Sequence, residues 1–117
     1  MISFKENICV YISLEPIDFR KGLNGLLVLT QAVFSQLPQS DHLFLFRDVS
    51  GKKLKAVYWD TNGFMLLYKR LETGKFQFPK ILSGEMQLDR LQLECLLSGM
   101  DFIRKEVKKA NEYAVFS

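Results

Sequence analysis

The sequence predicts an α+β fold, a mostly antiparallel β-meander with two helices packed on the sheet, in the order β-α-β-β-β-β-α. Two apolar stripes recur at steps of three and four residues, which is typical of amphipathic helices. Between them, four short apolar and aromatic runs are joined by turn residues, which favours a meander. The 117 residues, 48% hydrophobic and 25% charged, are enough for one ordinary globular domain.

The first strand and the first helix are predicted from two different periods. Apolar residues alternate from Ile8 to Leu14, which indicates a strand, and Pro16 ends it. An apolar residue then recurs every three or four positions, which predicts a helix from about Ile17 to about Leu37, ended by Pro38.

Gly22 and Gly25 lie early in this predicted helix, where each glycine costs about 1 kcal/mol relative to alanine. Two explanations offset that cost. The favoured one is a close approach of the helix to a strand, and the alternative is an approach of the backbone to a ligand phosphate.

The predicted meander has turns around Gly51, Gly63 and Gly74, residues that tolerate a positive φ. Both faces of its strands carry apolar side chains, which suggests that part of the second face is covered or binds something. The four predicted strands are Leu43 to Arg47, Leu54 to Trp59, Phe64 to Lys69 and Lys75 to Phe78.

A leucine-rich stripe predicts the second helix, from about Met86 to Ser98, with Gly99 as its C-cap. The domain is therefore predicted to span residues 1–102. Residues 103–117 form a tail of mixed charge without a strong apolar face, which we expect to be helical or disordered.

The cysteines and the apolar runs bear on the location of the protein. Cys9 and Cys95 both have the setting of buried thiols, which favours a reduced compartment, although a single bridge between them remains open. The run from Ile8 to Leu14 lacks the flanks of a signal peptide, and the run from Leu26 to Phe34 is too short to cross a bilayer. We expect a cytoplasmic protein without a membrane partner.

The positive charge is localised. Residues Arg47 to Lys80 contain eight basic and three acidic side chains, a net charge of +5 in a protein whose total is +3. A basic surface of this kind attracts polyanions, and nucleic acid is the commonest of these. The alternative is that the lysines keep exposed strands soluble and discourage edge pairing.

Six residues of this segment are predicted to bind nucleic acid, because ammonium and guanidinium groups contact phosphates and an indole stacks on a base or anchors a protein interface. The alternative is that the tryptophan belongs to the core and the cations form a solubilising rim. The predicted residues are Arg47, Lys55, Trp59, Lys69, Arg70 and Lys75.

No catalytic residue, cofactor or metal site is predicted. The only histidine, His42, and two distant cysteines do not match the spacing of zinc ligands. A metal-dependent nuclease is a weaker alternative, because every candidate carboxylate has a position that suits capping or ion pairing. These carboxylates are Asp18, Asp60, Glu72 and Asp101.

Several motifs together resemble the TnpB-type accessory protein, which is encoded by the second open reading frame of bacterial insertion sequences of the sixty-six family. The resemblance extends from about Val10 to Phe102. It is carried by the signatures D-x-R-K-G, Y-W-D-x-x-G-F and K-R-L-E-x-G-x-F, which begin at Asp18, Tyr58 and Lys69, and by the runs His42–Arg47 and Leu96–Asp101.

The resemblance implies a non-catalytic accessory factor for DNA transposition that acts beside a separate, larger transposase. Its expected partners are DNA at the element ends, the cognate transposase, or both, and a homo-oligomer is possible. The alternative is a protein interaction module that binds the transposase without contacting DNA, with Phe46, Trp59 or the paired glycines at its contact surface.

Overall fold

The computed structural model describes residues 8–35, 39, 41–78 and 85–99. They confirm the predicted fold class and element order: a five-stranded mixed sheet, mostly antiparallel, and two helices. The elements are β1 (Cys9–Ser13), α1 (Leu23–Phe34), β2 (His42–Arg47), β3 (Lys53–Asp60), β4 (Gly63–Arg70), β5 (Glu85–Leu88) and α2 (Arg90–Leu97). The predicted tail, residues 103–117, lies outside the described residues.

The strand order across the sheet is β4-β3-β2-β1-β5. Strands β1 and β2 are parallel, as a connection through a helix allows, and the other neighbouring pairs are antiparallel. The meander therefore consists of β2, β3 and β4. In its register Leu45 pairs with Ala56, and Val57 pairs with Leu66.

The predicted strand from Lys75 to Phe78 was wrong. That segment joins no ladder, and the Phe76 N–H donates instead to the Gly51 carbonyl at 2.8 Å. The Phe76 side chain is buried in the core beneath the sheet, which satisfies the apolar pattern without strand pairing. The fifth strand is β5, which pairs with β1 at the other side of the sheet and leaves β4 as an edge strand.

Both helices are shorter than predicted. The Ile17 N–H donates to the Arg47 carbonyl at 2.9 Å, which ties the preceding segment to the sheet, and α1 begins only after its N-cap, Gly22. The predicted end at Leu37 lies outside the described residues, within which α1 ends at Phe34. Helix α2 starts after Asp89, whose side chain and that of Gln92 form a reciprocal capping box.

The glycines of the first helix do not approach a strand, so the favoured explanation was wrong. Gly22 is the N-cap, with open space where a Cβ would be, and a Cβ on Gly25 would meet the Lys21 side chain at 3.3 Å. The C-cap of α2 is Ser98 and not Gly99, so the helix ends one residue earlier than predicted, and Gly99 follows the cap with a φ of +80°.

Apolar side chains are buried on both faces of the sheet, which confirms that the second face is covered. The face that packs against α2, here the α2 face, buries Val10, Ile12, Leu14, Leu43, Leu45, Leu54, Ala56, Phe76, Leu88, Leu93, Cys95 and Leu96. The α1 face buries Leu26, Phe34, Phe44, Phe46 and Val57.

Cys9 and Cys95 are free thiols, so the bridge that the sequence left open does not form. Cys95 is buried, as predicted, and Cys9 is half-buried. Neither of the two helices in the described part of the chain has the length and apolar character needed to span a membrane.

Candidate nucleic-acid interface

Four basic side chains meet at one end of the sheet, which we call the basic end: Lys52, Lys53, Arg70 and Lys75. Lys53 begins β3 and pairs in register with Arg70, the last residue of β4. The Lys52 carbonyl accepts the Leu71 N–H at 2.8 Å, so the β2–β3 turn lies beside the chain that leaves β4. In the same turn the Gly51 carbonyl accepts the Phe76 N–H, which places Lys75 next to the turn.

The basic end keeps an excess of positive charge. Lys52, Arg70 and Lys75 are exposed, and no ion pair found among the described residues involves Lys52, Lys53 or Lys75. Arg70 pairs with Glu72 at 2.8 Å, and this hydrogen bond and charge raise the pKa of Arg70 and lower that of Glu72. Because Lys53 and Arg70 face each other with like charge, a bound anion would relieve their repulsion.

The carboxylate of Asp48 shapes the turn that carries two of these lysines. Its Oδ1 accepts the N–H groups of Gly51 and Lys53, both at 3.1 Å, and its Oδ2 accepts the Ser50 hydroxyl at 2.6 Å. Burial raises the pKa of Asp48, but the hydrogen bonds outweigh this effect, and the pKa is lowered overall. Asp48 is therefore engaged in holding the backbone at Gly51 and Lys53, on either side of Lys52.

We expect Asp48→Asn to flatten the acid dependence of stability. Since the pKa of Asp48 is lower in the folded than in the unfolded chain, its ionised form stabilises the fold above the unfolded pKa, and this stabilisation is lost as pH falls. Urea unfolding between about pH 5 and about pH 3 should show a smaller loss of stability in Asp48→Asn than in the natural protein. Val49→Ala, in the same exposed turn, is the control, and an unchanged slope in Asp48→Asn would contradict the prediction.

Arg47 and Lys55, two of the predicted site residues, make internal hydrogen bonds. The Arg47 Nε donates to the Leu14 carbonyl at 2.9 Å. Lys55 is only 8% exposed, and its Nζ donates to the Phe19 and Lys21 carbonyls, at 2.8 Å each. Both cations thus tie the segment between β1 and α1 to the sheet.

Lys69 is exposed and directly precedes Arg70, but it lies on the other face of the sheet, and Trp59 lies toward the other end of β3. The Lys69 Nζ donates at 2.5 Å to the carbonyl of Leu97, the last residue of α2, where a cation also meets the negative end of the helix dipole. Trp59 is half-buried and packs edge-to-face on Phe64, with ring centroids 5.0 Å apart. It is six residues from Lys53 along β3, about 20 Å.

The register therefore separates the six predicted residues. Arg47 and Lys69 belong to the α2 face, because they pair with Leu54, whereas Lys55, Trp59 and Arg70 belong to the α1 face. Arg70 and Lys75 join Lys52 and Lys53. Lys52 and Lys53 belong to the basic segment identified from the sequence, but they were not among the predicted site residues. Their position in the turn after Asp48 could have indicated that they belong to the site.

Phe46 was wrongly expected as a contact residue. It is 0% exposed and lies in the core of the α1 face. The end of the sheet opposite to the basic end has a different character, since Asp60 closes β3 there, beside the Trp59 and Phe64 rings. Asp41 and Asp89, which precede β2 and follow β5, lie at that same end.

This arrangement, a sheet covered on both faces with cations gathered at one end, is that of a small α+β protein with a localised basic surface. The chain belongs to the family of IS66 Orf2-like proteins, whose profile matches residues 8–107. The resemblance noted from its motifs is thereby confirmed, and the protein is an accessory protein of insertion-sequence transposition.

Two relatives come from Sinorhizobium fredii. The uncharacterized protein y4jC is 32% identical over 117 residues, which cover 97% of this chain and all of that protein. The uncharacterized protein y4hO is 35% identical over 102 residues, or 87% of this chain and 89% of that protein. No solved structure matches the chain.

Proposed function

We propose that this protein is a non-catalytic accessory factor that binds DNA at the ends of an insertion sequence during transposition. The observation that carries the proposal is the gathering of Lys52, Lys53, Arg70 and Lys75 at the basic end. It fits a family whose members act in transposition. The free thiols of Cys9 and Cys95 suit the bacterial cytoplasm, where this DNA lies.

The six residues predicted from the sequence take two roles in this proposal. Arg70 and Lys75 contact phosphates together with the two turn lysines, and Arg70 exchanges its exposed partner Glu72 for a phosphate. Arg47, Lys55 and Lys69 hold the surrounding segments in place through their bonds to backbone carbonyls. Trp59 lies too far along the strand to stack on a base beside these phosphates. No cofactor or metal is required.

The test is titration of the protein with duplexes of element-end and scrambled sequence at several salt concentrations. Each phosphate that a cation neutralises contributes about −0.9 to the slope of log affinity against log salt. We therefore expect Lys52→Ala or Lys75→Ala to weaken binding to both duplexes and to reduce the slope by about 0.9 each.

Arg90→Ala is the matched control, because it also removes one exposed cation but lies at the start of α2, at the opposite end of the sheet. It should leave the slope unchanged. Absence of binding at low salt would remove the proposal, and equal losses in all three variants would mean that net charge, and not the basic end, is responsible.

The half-buried Trp59 and Phe64 rings favour a second candidate, docking to the transposase at the hairpin tip. In that case co-purification with the transposase would survive nuclease and moderate salt. Trp59→Ala would abolish it, whereas Lys52→Ala and Lys75→Ala would not. The reverse pattern favours the binding of DNA.

A further inference from the structure

In the described part of the chain, β4 is a long edge strand whose first six residues carry no charge. It has eight residues, whereas β5 at the other edge has four. It contains no proline and no residue with positive φ, and within the described part of the chain only β3 pairs with it. Phe64, Met65, Leu66 and Leu67 are only half-buried, and Tyr68 is 53% exposed. Natural edges are usually short, bulged, or interrupted by charge or proline.

We propose that a second copy of this chain pairs with β4, antiparallel, about a two-fold axis at Leu66. In a continuous sheet, residues directly opposite each other must point to the same face. On the α1 face, Leu66 then lies opposite itself and Phe64 opposite Tyr68 of the second copy. On the α2 face, Met65 lies opposite Leu67. Such aromatic and aliphatic pairs across strands stabilise a sheet.

The charges of β4 favour a second copy in this orientation. Lys69 lies opposite Gly63 of the second copy, which carries no side chain and pairs in register with Asp60. Lys69 can then exchange its bond to the Leu97 carbonyl for an ion pair across the glycine with Asp60 of the second copy. A parallel pairing would instead set Lys69 and Arg70 beside their own copies, where like charges repel. The strand is thus complementary to itself, as a two-fold interface requires.

The first experiment is sedimentation equilibrium of the full chain over a wide range of protein concentration, without DNA. We expect a reversible dimer. Tyr68→Lys, which replaces an exposed aromatic residue of the interface by a charge, should raise the dimer dissociation constant about tenfold or more. Val49→Lys is the control, because Val49 is an exposed apolar residue in the β2–β3 turn and lies outside β4. Circular dichroism checks that both variants fold.

The second experiment tests the register. A cysteine at the two-fold axis, Leu66→Cys, should be cross-linked into dimers by a short bismaleimide, above the background of the natural thiols. Val28→Cys, exposed on α1, should not be. A monomer at every concentration would overturn the inference. This result is expected if another segment or another protein covers the edge. A dimer that ignores Tyr68→Lys, or that Leu66→Cys does not cross-link, would overturn it too. Neither result depends on the binding of DNA.

Discussion

Replacing Lys55 with methionine is expected to lower the free energy of unfolding by about 2–4 kcal/mol. The Lys55 Nζ is buried and donates to two backbone carbonyls, those of Phe19 and Lys21. It also lies 4.9 Å from the centroid of the Phe19 ring, a favourable position for a cation. Methionine fills a similar volume but leaves both carbonyls without this donor.

Urea denaturation measures the effect, and Lys53→Met is the matched control. Lys53 lies two residues earlier on the same face of β3. Within the described part of the chain, its side chain makes no hydrogen bond. Its replacement should change the unfolding free energy by less than about 0.5 kcal/mol. Equal effects of the two substitutions would show that the carbonyl contacts of Lys55 contribute little.

Phe44→Ala is expected to cost about 3–5 kcal/mol, a large share of the stability of a domain of this size. Phe44 is 0% exposed at the centre of the α1 face. Its ring stacks on the Tyr11 ring, with centroids 5.2 Å apart, and packs against the Phe34 ring of α1, with centroids 4.8 Å apart. Removing the ring leaves a cavity between the sheet and α1.

Thermal and urea unfolding of Phe44→Ala, compared with Phe44→Leu, test this expectation. Leucine keeps much of the buried volume, so its cost should be clearly smaller than that of alanine. Similar losses in the two variants would indicate that the ring contacts with Tyr11 and Phe34, and not the filled volume, determine the stability of this face.

The position of Lys55 also gives a structural meaning to the family motifs. The D-x-R-K-G signature at Asp18 lies in the segment that Lys55 and Arg47 hold against the sheet. Within that signature Arg20 pairs with Asp18 at 2.6 Å, and this hydrogen bond and charge lower the pKa of Asp18 to about 2. Arg20 is therefore paired within the signature itself, which leaves one basic residue fewer for a partner.

Much of the fold followed from local patterns. The two-residue period of β1, the apolar stripes of both helices and the turns of the meander were enough to identify the fold class, although the last predicted strand was placed at Lys75 to Phe78 and not at β5. The prediction of a strand from Lys75 to Phe78 was wrong because the alternation of Phe76 and Phe78 fits two structures equally well. One is a strand, and the other is a coil whose aromatic side chain is buried in the core. The prediction that the second helix begins at about Met86 was wrong for a similar reason. The spacing of Met86 and Leu88 also fits a short strand before α2.

The site could be predicted only in part. The sequence located the positive charge between residues 47 and 80, but the partner of each cation depends on which segments pack beside it. Lys55 meets carbonyls 34 and 36 residues earlier in the chain, and Lys69 meets one 28 residues later. Sequence separations of this size are beyond the reach of any local sequence pattern.

The amino-acid sequence alone determined the family, the fold class and the amount of charge in the meander, because motifs, periodicity and composition are local properties. The tertiary structure decided which cations are exposed and which are buried, since the strand register sends alternate side chains to opposite faces. It also decided that β4 is an edge of the described sheet, because β5 pairs with β1 and residues 71–78 after β4 join no strand.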